Sequence, residues 1–108
     1  LKLSEINNST QHYLSWITKS SAYTANAGEK ILADTSSGGF TITLPSSPSE
    51  GDPEICFADA ARSWGTNNLV IDGNGNNILG ASTFTVDVND WTFGLIFNGE
   101  QWVFSYKS

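Results

Sequence analysis

The residues able to carry chemistry are few and scattered. The one histidine, His12, has Ser9 and Ser15 near it in sequence. Ser–His–acid catalysis needs an imidazole oriented by a carboxylate and donors aimed at a developing oxyanion, and no motif around His12 supplies either. It reads as an exposed or capping side chain. Glycoside hydrolysis needs two carboxyl groups held roughly 5–10 Å apart across a cleft. Asp34, Asp52, Asp59, Asp87 and Asp90 each fall at a strand end or turn, where a carboxylate bonds nearby backbone amides. The expectation is a protein that is not an enzyme.

The run Asp72-Gly73-Asn74-Gly75-Asn76 opens like a calcium loop. Such a loop requires Gly at its sixth position and Glu at its twelfth, and here Asn77 and Thr83 stand there, so a turn without a metal is expected. Gly73 and Gly75 make no phosphate cradle, because no helix follows to point its amides at an anion. Cys56 is the only cysteine, which excludes an intrachain disulfide or a thiolate cluster and fits folding in a reducing cytosol. No cofactor is implied. What remains is a binding surface. Aromatic faces match the C–H patches of sugars, and amides and carboxylates match their hydroxyls. Trp64 near Asn67 and Asn68, and Trp91 beside Asn89 and Asp90, have that composition. Each indole is equally suited to core or interface packing. The loops 72–77 and 89–91 are the densest in such groups, so Asp72, Asn74, Asn76, Asn77, Asn89 and Trp91 are the receptor-binding candidates.

These side chains need a frame, and the composition allows one. The chain has 108 residues, enough for one domain. Its net charge of −6 excludes a nucleic acid as the main partner, since phosphate backbones demand clustered Lys and Arg. No apolar run approaches the roughly 20 residues that span a bilayer, so membrane insertion is not expected. Ser, Thr and Asn supply 34 of the residues, and 13 aromatics are enough to organise a core.

Residues 1–20 read as a stem or linker. Leu3, Ile6, Thr10, Tyr13 and Ile17 recur at steps of three and four, a heptad-like seam. It is short enough to be a helix only if it packs on something, and an extended stem is the other reading. From residue 21 to 108 the period changes to alternation. Segments 22–24, 30–33, 40–44, 54–58, 69–71, 84–88, 92–97 and 101–106 read as strands, spaced by turn signals as in an antiparallel β-sandwich. Asn98-Gly99 has the composition of a type I′ hairpin turn. Phe93, Leu95 and Phe97 alternate with Ile96, and Trp102 and Phe104 with Val103. Strands apolar on both faces are covered twice, either within the domain or by another subunit.

One combination of segments is recognisable as a whole. It begins with Tyr23-Thr24-Ala25, Ala27-Gly28-Glu29 and 31–36 (Ile-Leu-Ala-Asp-Thr-Ser). It continues through 39–45 (Gly-Phe-Thr-Ile-Thr-Leu-Pro), 48–52 (Pro-Ser-Glu-Gly-Asp), Asp59-Ala60-Ala61, 66–69 (Thr-Asn-Asn-Leu) and Asn98-Gly99 with Trp102. Together these resemble a recurrent β-domain of bacteriophage tail fibres, over most of the chain. Arg62-Ser63-Trp64 departs from it, placing a cation and an indole where small residues are usual. The resemblance implies a virion component made in the bacterial cytosol, an intertwined or packed homotrimer, and adhesion of the fibre to the host surface. The partner expected is bacterial surface polysaccharide, bound multivalently; the alternative is a structural shaft or connector without receptor affinity.

Overall fold

The computed structural model describes residues 15–108, and among these the protein is all-β with no helix. The strands are β1 (Ile17–Lys19), β2 (Tyr23–Thr24), β3 (Lys30–Ala33), β4 (Phe40–Thr43), β5 (Ile55–Asp59), β6 (Leu69–Asp72), β7 (Thr83–Val86), β8 (Thr92–Phe97) and β9 (Trp102–Lys107). All eight segments expected from alternation form strands. The remaining one, β1, lies inside the segment read as a stem. Ile17, the last position of the heptad-like seam, is extended there and pairs with Ile31. Leu3, Ile6, Thr10 and Tyr13 of that seam, like His12, lie outside the described residues.

The strand directions correct the antiparallel expectation, because both sheets are mixed. Each connection from β1 to β6 crosses from one sheet to the other, so β1, β3 and β5 run parallel in one layer and β2, β4 and β6 run parallel in the second. From β6 onward the chain uses antiparallel pairs, β6–β7, β5–β8 and β8–β9. The final orders are β1-β3-β5-β8-β9 and β2-β4-β6-β7. The reason is physical: alternation specifies which face of a strand is buried, whereas direction depends on where each connection delivers the chain. The connection at 34–39, for instance, does not fold β4 back onto β3. It carries the chain across to the other sheet.

Both layers contribute to one core. Ile31, Ala33, Ile55, Phe57, Phe93 and Leu95 from the larger sheet join Ile42, Leu69, Ile71 and Val86 from the smaller. Burying one such aliphatic side chain contributes about 1.5–3 kcal/mol. Phe57 stacks on Phe93 with centroids 5.0 Å apart, and Phe84 meets Phe93 edge-on at 5.7 Å. Trp64 is wholly buried. Its Nε1–H donates to the Ala33 carbonyl (3.1 Å), and its ring meets Phe93 edge-on at 6.0 Å. The indole of Trp64 is therefore a core residue.

The turns also differ from expectation in one place. Asn98 does not adopt positive φ. Its side-chain Oδ1 accepts the amides of Glu100 and Gln101 (both 2.9 Å), which closes a four-residue turn in place of a type I′ pair. The left-handed pairs lie earlier. Asn74 and Gly75 (φ 53° and 95°) sit inside the turn closed by Asn76 N–H to the Gly73 carbonyl (3.1 Å). Leu79 and Gly80 (φ 51° and 89°) sit inside the Ile78–Ala81 bridge. Such paired left-handed residues match the twist of a tight hairpin. The stretch resembling a calcium loop is thus built as a turn.

Candidate functional site

Strand β7 ends the smaller sheet and β9 ends the larger. Between these two edges lies a cleft of about 260 Å³. Alternation on β7 turns Phe84 and Val86 inward, and alternation on β8 and β9 does the same for Phe93 and Phe104. These form the floor, with Phe104 meeting Phe84 edge-on at 5.7 Å. The rim is formed by Asp87, Val88, Trp91 and Lys107. The Lys107 ammonium sits 5.3 Å from the centre of the Phe104 ring, a favourable cation–π separation. Val88 is 51% exposed and Trp91 36%, so the rim presents apolar surface to solvent beside one acid and one base.

The loop that carries Trp91 is held by the segment after β5. Asp59 is the hub. Its Oδ1 accepts the Ser63 amide (3.1 Å), and its Oδ2 accepts the amides of Asp90 (3.1 Å) and Trp64 (3.4 Å). Its own amide donates to the Trp91 carbonyl (3.2 Å). Asn89 Oδ1 accepts the Gly65 amide (2.7 Å). Arg62 grips Asp90 with two parallel bonds, Nε to Oδ1 at 2.9 Å and Nη2 to Oδ2 at 3.1 Å. Hydrogen bonding to that carboxylate raises the Arg62 pKa above its ordinary value. The pair is exposed, so water screens it and it adds little stability. What it fixes is geometry, since Arg62 and Asp90 both hold left-handed backbone (φ 54° and 68°), a conformation that neighbouring contacts must maintain.

The six residues expected at a receptor surface are not brought together. Asp72 pairs with Thr83 at one end of the β6–β7 ladder, while Leu69 pairs with Val86 at the other. Asp72, Asn74, Asn76 and Asn77 therefore sit at the end opposite Asn89 and Trp91, across a ladder about 10 Å long. Two of their side chains are engaged by backbone groups. Asp72 Oδ1 accepts the Asn74 amide (2.8 Å), and Asn74 Nδ2 donates to the Leu44 carbonyl (3.0 Å). The Asn77 carbonyl accepts the Trp102 amide (2.9 Å). Of the six, Trp91 lines the cleft, and Asn89 holds its loop. Sequence reasoning missed Asp87, Val88, Phe104 and Lys107. The available signal was large inward-facing residues on the last strand of each sheet. It also missed Arg62, and it expected Asp59 to bond nearby backbone amides but not the Asp90 amide 31 positions on.

No family model matches this sequence, and no curated protein matches it. The likeness to tail-fibre domains rests on the residues quoted for it.

Proposed function

We propose that this chain is a bacteriophage tail-fibre segment that attaches the virion to the host bacterium by binding surface polysaccharide. The observation that carries the reading is the cleft between β7 and β9, where an exposed indole on a held loop stands beside a carboxylate and an ammonium. An indole face accepts the C–H side of a pyranose ring, while Asp87 and Lys107 offer an acceptor and donors for hydroxyls. Preorganising the Trp91 loop through Asp59, Asn89 and Arg62 lowers the ordering cost of binding. One such cleft gives weak affinity. A sandwich-like domain assembled as a homotrimer, with the residues before β1 leading into it as a stem, would present three clefts and gain avidity.

A structural shaft or connector is the second reading, favoured by the use of Asp72, Asn74 and Asn89 in holding local backbone. Adsorption of the labelled chain to a panel of bacteria separates the two. In the adhesion reading Trp91→Ala lowers adsorption at least tenfold and leaves the thermal transition in place, because the indole is partly solvated. Equal adsorption of the two proteins, or none by either, decides for the shaft.

A further inference from the structure

The cleft between β7 and β9 has two parts of opposite chemistry. Its floor is three rings, Phe84, Phe93 and Phe104, each edge-on to the other two. Their interplanar angles are 86°, 79° and 82°, with centroids 5.7, 5.7 and 5.9 Å apart. Edge-to-face contact is a favoured arrangement of aromatic quadrupoles, so the rings brace one another, and Phe93 is held further by stacking on Phe57. The floor carries no polar atom. Thr85, between Phe84 and Val86, is exposed where they are covered, so its hydroxyl lies on the other side of the strand. The charged groups stand together at one end. Lys107 is in register with Phe93, close in the chain to Trp91, and Asp87 directly follows β7. Neither charge is in an ion pair among the described residues. The Lys107 ammonium, 5.3 Å from the centre of the Phe104 ring, marks the border between rim and floor.

This pairing discriminates among sugars. A sugar bearing hydroxyls alone would set some of them against the rings, where they lose water and find no partner. An acidic sugar would bring a carboxylate to Asp87 on a chain of net −6, which like charge disfavours. A 6-deoxy sugar supplies a methyl group for the floor but no added donor or acceptor. An O-acetyl ester supplies a methyl group and an acceptor for Lys107, but no donor for Asp87. An acetamido group supplies all three: a methyl for the rings, a carbonyl for the Lys107 ammonium and an N–H for the Asp87 carboxylate. The space agrees. At about 260 Å³ the cleft is smaller than the roughly 300–1,000 Å³ of sites that enclose drug-sized ligands, so it takes one sugar residue while the polymer continues into solvent.

We infer that the cleft selects an N-acetylated amino sugar, with its acetyl methyl group on the Phe84–Phe93–Phe104 floor and its amide between Asp87 and Lys107. The inference rests on the polysaccharide reading and narrows it to one substituent. Competition against adsorption of the full chain tests it, using the released polysaccharide in native, N-deacetylated and re-N-acetylated forms. The native and re-acetylated forms should compete alike. The deacetylated form should need at least about ten times the concentration, as when a site loses both an apolar contact and a hydrogen-bond partner. Its freed ammonium groups are attracted to a chain of net −6, so charge repulsion does not account for such a loss. Equal competition by all three forms overturns the inference and leaves polysaccharide adhesion standing, whereas no competition by any form overturns both. Saturation-transfer NMR with N-acetylglucosamine reads the contact directly. The acetyl methyl protons should take up the most saturation, and Asp87→Ala or Lys107→Ala, both at exposed positions, should reduce it. Strongest saturation on the sugar-ring protons counts against the inference.

Discussion

Asp59 is the point where the account can be pressed hardest. Replacing it with Ala removes the acceptor of three backbone amides, those of Ser63, Trp64 and Asp90. A net hydrogen bond contributes about 0.5–1.5 kcal/mol, and more when the acceptor is charged. The Trp64 contact is long at 3.4 Å, and water reaches the exposed Asp90 amide, so the lower half of that range applies. Asp59→Ala should therefore cost about 2 kcal/mol, a shift in Tm on the order of 10 °C for a domain of this size. Asp59→Asn keeps one acceptor oxygen but turns an amide group toward the remaining donors, and should fall between. Urea unfolding monitored by tryptophan fluorescence measures both. The same variants should weaken adsorption through Trp91, because the Asp59 carboxylate holds the amide of the preceding residue, Asp90. An Asp59→Ala protein within about 0.5 kcal/mol of wild type, the range of an ordinary surface change, would refute the reasoning.

Two further outcomes follow from the turns and the tyrosines. Asn74→Ala should destabilise by about 1–3 kcal/mol, because Ala resists left-handed backbone and cannot donate to the Leu44 carbonyl. Asn74→Gly, which accepts that backbone, should cost less by thermal unfolding, and the reverse order would contradict the assignment. At high pH stability should fall. Burial, then the Cys56 thiol, pushes the Tyr106 phenol up to about 12 from an unfolded value of 10.0, and a hydrogen bond to the Glu29 carboxylate raises Tyr23 as well. The folded chain then holds protons that the unfolded chain has released, so the contribution is intact below about pH 10 and lost as pH rises through about 12. Denaturation at about pH 9 and about pH 11, with tyrosinate absorbance recorded alongside, would show it; stability rising over that interval would sink the idea.

The local pattern carried most of the secondary structure. In β4, Phe40 and Ile42 alternate with Thr41 and Thr43, and that alone marks the strand and its buried side. Strand β1 escaped notice because Ile17-Thr18-Lys19 is too short to show a period and falls within a helix-like seam. Strand direction was not legible, since nothing in the Lys30–Ala33 or Ile55–Asp59 residues states which neighbour they will pair with. Asn98-Gly99 and Asn74-Gly75 have the same composition, and the difference lies in whether the Asn side chain caps its own turn or reaches across to Leu44. Trp64 and Trp91 likewise stand near similar neighbours. The first is drawn into the core by Ala33 and Phe93, and the second is kept out by the Asp59 and Arg62 contacts. Those contacts join residues 28 and 31 positions apart, a separation at which one sequence carries no pairing signal.

The most direct test of the central claim is adsorption of the fluorescent full chain to a binding bacterium before and after its surface polysaccharide is stripped. The account predicts that stripping abolishes adsorption, that the released polysaccharide competes for it, and that Trp91→Ala shows little adsorption to either cell. Adsorption that survives stripping, or that the polysaccharide fails to compete, would contradict it.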